Sequence, residues 1–125
     1  MENRNFTRVD FSDGASISYN NHLVWGTVEN LSLQGFYIRT SSTVKPDMPL
    51  DLPLDVTIYH PPHSSINVRA STIHCEEVGM GMKIDELDAD SFVRLIDAVS
   101  LKSNAPAMIM SETYKMANYV KIVND

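Results

Sequence analysis

Leu50-Asp51-Leu52-Pro53-Leu54-Asp55-Val56-Thr57-Ile58-Tyr59 places an apolar residue at every second position, with Asp, Pro, Thr or Tyr between them. Successive side chains of an extended chain point to opposite faces, so this stretch predicts a strand with one face buried and one face wet. Pro53 cannot donate a ladder hydrogen bond and sets its part of the strand at a sheet edge or bulge. His60-Pro61-Pro62-His63-Ser64 interrupts the pattern, and Ile66, Val68, Ala70 and Thr72 resume it, which predicts a hairpin with a five-residue connection.

The same period extends in both directions. Upstream, Ala15, Ile17 and Tyr19 alternate with Ser16 and Ser18 as far as a turn at Asn20-Asn21. His22 to Leu31 carries Val24, Gly26 and Val28 on one side and Trp25, Thr27 and Glu29 on the other, and Phe36 to Thr40 reads as a further strand. Ser41 to Pro49, with Lys45-Pro46-Asp47, is a loop. Downstream, Val78 to Ile84 supplies one more strand, and after Asp85 the period changes. Phe92, Leu95, Ile96 and Val99 follow helical spacing, with Asp88 or Asp90 able to accept N–H bonds at the helix start. A second helix is expected after Asn104 and Pro106, because Met116, Tyr119, Val120 and Val123 repeat that spacing through the C-terminus. The fold class is therefore mainly β: a small six-stranded antiparallel β-barrel with C-terminal α-helices, since closure removes exposed sheet edges. The expected organisation is an arm over residues 1–13, the barrel with its following helix over 14–101, and a helical extension over 102–125.

At 125 residues the chain is of single-domain size, and its 43% hydrophobic and 21% charged content is that of a folded domain. Sixteen acidic against ten basic residues give a net charge of -6, which disfavours DNA and RNA as partners. An anionic ligand must be captured locally, and the arginines available are Arg4, Arg8, Arg39, Arg69 and Arg94. Cys75 is the sole cysteine, so no intrachain disulfide forms, and a reducing compartment is expected. Met1-Glu2-Asn3 is followed by no apolar h-region, and no apolar stretch approaches the roughly 20 residues of a membrane helix. The expected location is cytoplasmic, without membrane insertion.

Two clusters carry candidate chemistry. In Arg4-Asn5-Phe6-Thr7-Arg8 a spacing of four sets both guanidinium groups on one side in helix or strand, so the pair can converge on one ligand. The planar arginine fork suits a phosphate and the O6/N7 edge of guanine. Residues Met1 to Thr7 hold a single aromatic, Phe6, which is too little to offset an ordering cost of roughly 1–2 kcal/mol per residue. The arm is therefore expected to be mobile until a ligand orders it, with Phe6 then packing on the barrel or on a guanine face. The second cluster is Asn30-Leu31-Ser32-Leu33-Gln34-Gly35, where Asn30 and Ser32 can hydrogen-bond a ligand and Gly35 permits a positive φ or a close backbone approach. Alone, it also reads as a turn chosen for its backbone geometry.

In this order, R-x-x-x-R, a strand hairpin, [D/N]-x-S-x-x-G, a strand-rich stretch and a helix, the chain resembles the PilZ domain, a bacterial receptor for cyclic di-GMP. The resemblance covers roughly Arg4 to Leu101, and Gly79-Met80-Gly81-Met82-Lys83-Ile84 looks like the closing strands of that barrel. It implies Arg4, Arg8, Asn30, Ser32 and Gly35 as ligand-binding residues. Arg39 is a secondary candidate that either faces the same site or pairs with an acid on the barrel wall. Asn30 stands where Asp is frequent, and its neutral amide both donates and accepts without repelling a dianionic ligand. The implied ligand is cyclic di-GMP or another cyclic dinucleotide, with no catalytic cofactor and no enzymatic turnover. The implied output is arm closure that alters contacts with an unidentified protein effector. The alternative is a ligand-independent interaction module of the same fold, in motility or pilus assembly.

Other readings are weaker in the residues themselves. His60, His63, His74 and Cys75 are zinc-type ligands, but adjacent His74 and Cys75 point to opposite faces of a strand, so no metal site is expected. A metal hydrolase built on them is the enzyme-class competitor. No phosphate-binding glycine loop or dinucleotide fingerprint occurs. The seven methionines read as core and helix-face filler.

Overall fold

The alternating segments pair side by side in antiparallel register, and the computed structural model describes residues 6–19, 21–40, 50–60, 64–116 and 118–123. Among them run β1 (Val9–Asp10), β2 (Gly14–Tyr19), β3 (His22–Leu31), β4 (Gly35–Thr40), β5 (Pro53–His60), β6 (Ser64–Glu76) and β7 (Gly79–Asp88). Helices α1 (Ala89–Lys102) and α2 (Pro106–Met116) and strand β8 (Lys121–Val123) follow. Each barrel strand has two neighbours in the order β3-β2-β5-β6-β7-β4, and β4 returns to β3, closing a six-stranded antiparallel barrel. No helix among the described residues is long and apolar enough to cross a membrane.

The inward positions are those that the period-two pattern selects. Ile17, Val28, Ile38, Val56, Ile58, Ile66, Ala70, Met80 and Ile84 are buried. Helix α1 packs on the barrel through Leu95, Ala98 and Val99, and begins at Asp88, whose Oδ2 accepts from Ser91 N at 3.1 Å. Burial pushes the Asp88 carboxyl up, but the hydrogen bonds from Ser91 and the backbone at the helix start outweigh it and hold it below its ordinary value.

Several expectations are corrected. The strand seen in Leu50–Tyr59 begins only at Pro53, while Leu50 and Leu52 are exposed. Asp51 has φ 61°, a left-handed conformation no strand can continue through, and its N–H donates to Thr72 O at 3.1 Å. His60 and Ser64 are themselves a register pair, so the hairpin connection is shorter than five residues, and residues 61–63 lie outside the described ones. The loop at 41–49 and Asn20 of the first turn lie outside them too, whereas Asn21 takes φ 64°. The second helix does not run to the C-terminus. It ends at Met116, and Lys121–Val123 pairs in parallel with Glu86–Asp88 of β7. The β4 pairing stops at Lys83, leaving the end of β7 with an open edge, and β8 fills it. Helical spacing cannot anticipate an edge supplied by a distant strand. Met80, Met82 and Met116 are core residues, and Met108 and Met110 lie exposed on α2.

The described part of the arm packs on the barrel. Phe6, which the composition alone leaves as a weak anchor, is buried, as are Val9 and Phe11. Strand β1 lies on the same edge of β3 as β2, pairing Val9 with Leu31 and Asp10 with Asn30. Residues 11–13 bridge the two strands with Phe11 N to Glu29 O at 2.9 Å and Val28 N to Asp13 O at 2.8 Å.

Candidate functional site

The described part of the arm lies beside the second motif at one end of β3. Asp10 is level with Asn30 and Val9 with Leu31, and Arg8 directly precedes this paired segment beside the start of the second motif. Arg8 is exposed and its neighbour Val9 is buried, which turns the guanidinium outward from the core. Arg4 lies outside the described residues.

Asn30 owes its position to an irregularity. The β3–β4 register shifts between Val28 and Asn30, leaving Glu29 and Asn30 both off the core face between buried Val28 and Leu31. Asn30 Oδ1 is buried and has no hydrogen-bond partner among the described residues. A buried acceptor without a partner costs free energy, and such groups concentrate at functional sites.

Ser32 is spent on its own turn. Its Oγ accepts from Gln34 N at 3.2 Å and Gly35 N at 3.1 Å and donates to Gly35 O at 3.2 Å. Ser32 N also donates to Gly35 O at 2.9 Å, and Gln34 O receives Ile84 N at 2.7 Å, tying the turn to β7. Leu33, fully buried, plugs it into the core. No described glycine has positive φ, so of the two roles open to Gly35 the structure uses close approach: a Cβ there would strike Met82 O of β7. The second motif is thus a braced wall.

Counting outward positions from Gly35 along β4 gives Tyr37 and Arg39, which share its face. Arg39 Nε pairs with Glu29 Oε2 at 2.5 Å, so this secondary candidate holds an acid on the barrel wall, and that pairing raises its pKa. Tyr37, the register partner of Asn30, is a further residue of this wall that the same period marks. Its ring lies over Gly79, stacks near His74 at 6.2 Å, and its hydroxyl donates to Glu76 Oε1 at 2.5 Å. That hydrogen bond, with burial and the Glu76 charge, pushes the Tyr37 pKa up to about 12.

On its other side, Arg8 borders a cleft of about 330 Å³ shared with Asp10, Lys102, Asn104 and Met108. Two further residues act on the arm from far along the chain. Glu112 of α2 accepts from Thr7 N at 2.7 Å and Thr7 Oγ1 at 2.5 Å, and Tyr119 meets Phe6 edge-on at 5.7 Å. The sequence held one sign of this: Glu112 falls between Ile109 and Met116 on a single helix stripe, a lone acid on an apolar face.

Among the described residues the zinc-type side chains do not converge. His60 Nδ1 contacts Asp13 Oδ2 at 2.6 Å, whereas His74 lies on Tyr37, and His63 is outside the described residues. Burial, with the Glu76 charge, pushes the Cys75 thiol up and away from the reactive thiolate. Among the described residues no group of three or more His, Cys, Asp or Glu could hold a metal ion.

Comparison with known proteins agrees with this architecture. The PilZ domain family model matches residues 2–100. The PilZ domain of Escherichia coli YcgR, solved with c-di-GMP, superimposes with a TM-score of 0.67 at 10% identity, covering 95% of this chain and all 100% of that one. Bacillus subtilis inhibitor of motility (MotI/DgrA) superimposes with a TM-score of 0.60 at 16% identity, covering 78% of this chain and 49% of that one. The chain thus spans about half the length of the B. subtilis protein. At these identities the likeness is one of fold. A search of curated proteins finds no match.

Proposed function

The chain belongs to the PilZ domain family, and from that premise we propose that it is a non-enzymatic receptor for cyclic di-GMP, acting in the cytoplasm. The observation that carries the reading is Asn30 Oδ1, buried without a partner among the described residues and level with Asp10, two residues from Arg8. Guanine offers the complementary set: O6 and N7 accept from an arginine fork, and N1–H and the N2 amine donate to an amide oxygen. Arg8, with Arg4, takes the guanine edge and phosphates, Asn30 accepts from guanine, and Ser32 and Gly35 keep the wall rigid and close to β7. The c-di-GMP bound to the YcgR domain supports this ligand class, and the motility role named for the B. subtilis neighbour supports a protein effector as the output.

Adenine presents no O6, so cyclic di-AMP is expected to bind much more weakly than cyclic di-GMP, with the mixed dinucleotide between them. Arg8→Ala is expected to cost about 2 kcal/mol of binding, roughly 30-fold, with unchanged circular dichroism. Arg8→Lys recovers little, because an ammonium cannot make the two-pronged contact. Titration calorimetry checks all of these together. Equal affinity of wild type and Arg8→Ala rejects the clamp, and no binding of any cyclic dinucleotide to the folded chain favours a ligand-independent interaction module.

A further inference from the structure

The spacer of the R-x-x-x-R motif is gripped by a part of the chain that the family match does not reach. That match ends at residue 100, whereas the partners of Phe6 and Thr7 are Tyr119 and Glu112. Glu112 is only 5% exposed, and a buried carboxylate is tolerated where its oxygens are hydrogen-bonded. Here each oxygen has its own donor: Oε1 takes the Thr7 backbone N–H and Oε2 the Thr7 hydroxyl. Both donors of one residue therefore end on one carboxylate, a charge-assisted pair that fixes backbone and side chain at once. One residue earlier, Phe6 is 4% exposed and packs edge-on against Tyr119. Phe6 and Thr7 stand between Arg4 and Arg8. The clasp thus holds the stretch of chain directly before Arg8, inside the spacer between the two motif arginines.

We infer that α2 and the turn after it form a clasp that positions the ligand arm, with Glu112 as its positioning residue, so that ligand affinity and docking of residues 106–123 are coupled. The inference rests on the receptor reading above. An arm free to leave β3 binds only in the fraction of molecules where it is docked, and the apparent affinity falls by that fraction. The clasp keeps that fraction high. Linkage makes the effect mutual: a ligand that holds Arg4 and Arg8 also holds Phe6 and Thr7, and through them α2. Helix α2 has few other anchors, since its buried residues are Ile109, Glu112 and Met116.

The test combines one measurement without ligand and one with it. By hydrogen-exchange mass spectrometry of the protein alone, Glu112→Ala is expected to speed exchange at residues 6–10 about tenfold or more while β5 and β6 keep their protection. By calorimetry, the same variant is expected to bind cyclic di-GMP about tenfold more weakly. Thr7→Val, which leaves α2 intact, gives a smaller loss in the same direction and keeps the test decisive should Glu112→Ala unfold. In the double variant the two losses are expected not to add, because both remove one clasp. Cyclic di-GMP is expected to slow exchange in α2 of the wild type and to lose that effect in Glu112→Ala. A side chain that merely stabilised the fold would not transmit it. Unchanged arm exchange and unchanged affinity in folded Glu112→Ala and Thr7→Val would overturn the clasp and leave the receptor reading standing. No cyclic dinucleotide binding by the wild type would overturn the receptor reading and the coupling, while arm exchange would still report the clasp itself.

Discussion

Helix α1 turns Leu95, Ala98 and Val99 into the barrel and starts on the Asp88 cap, whereas α2 turns Ile109, Glu112 and Met116 inward, with a carboxylate at the centre of its buried stripe. The first helix is held by apolar burial and a cap within its own sequence. The second depends on a donor 105 residues away, at the other end of the chain. Apolar contacts are non-directional and many side chains can supply them, but a buried carboxylate accepts few substitutes for its donors. The difference teaches that α1 belongs to the barrel, while α2 and the arm form one unit whose halves stabilise each other.

That contrast breaks most visibly at Leu95. Leu95→Ala removes a fully buried side chain and is expected to cost about 3 kcal/mol, read as a lower urea midpoint with barrel and α1 unfolding together. A loss confined to α1, with the barrel still protected from exchange, would dissolve the distinction. Asp88→Ala is expected to cost about 1 kcal/mol at neutral pH. Its pH dependence has a definite sign: the folded-state pKa lies below the ordinary 3.8, so this stabilisation is present above that value and is lost as the pH falls through the lower folded-state value. Thermal melts of wild type and Asp88→Ala should therefore converge in acid, and a gap that widens there would be the wrong sign. The smallest effect is expected on the outer face of α2, where Tyr114 is 81% exposed. Tyr114→Ser should change stability by no more than about 0.5 kcal/mol in the same urea assay. A larger loss would mean that α2 has a support besides its inward stripe and the arm.

The barrel was legible because its signal is local and repeated. Alternation at Ile17, Val56, Val68 and Met82 marks the core face whatever each strand pairs with, and all of these residues are buried. The spacings of the R-x-x-x-R and N-x-S-x-x-G motifs are patterns of the same local kind. Leu50 and Leu52 show the limit of that reading: they continue the alternation, yet the left-handed backbone at Asp51 keeps them out of the strand. The outward turn of Asn30 depends on a register shift that no composition announces.

By itself the sequence determined the alternation that puts residues such as Ile17, Val56 and Val68 on the barrel core, and narrowed the start of α1 to Asp88 or Asp90. These follow from the repeat of an extended or helical backbone, a property of neighbours in the chain. Tertiary structure alone decided that the C-terminal segment ends as β8 on the open edge of β7, that Ser32 saturates its own turn, and that the arm is anchored. It also decided that Thr7 meets Glu112. Those outcomes depend on which distant groups arrive at hydrogen-bonding distance, and hydrogen bonds are directional and short. A lone acid on a helix stripe tells that a partner must exist, but only the folded chain selects the partner.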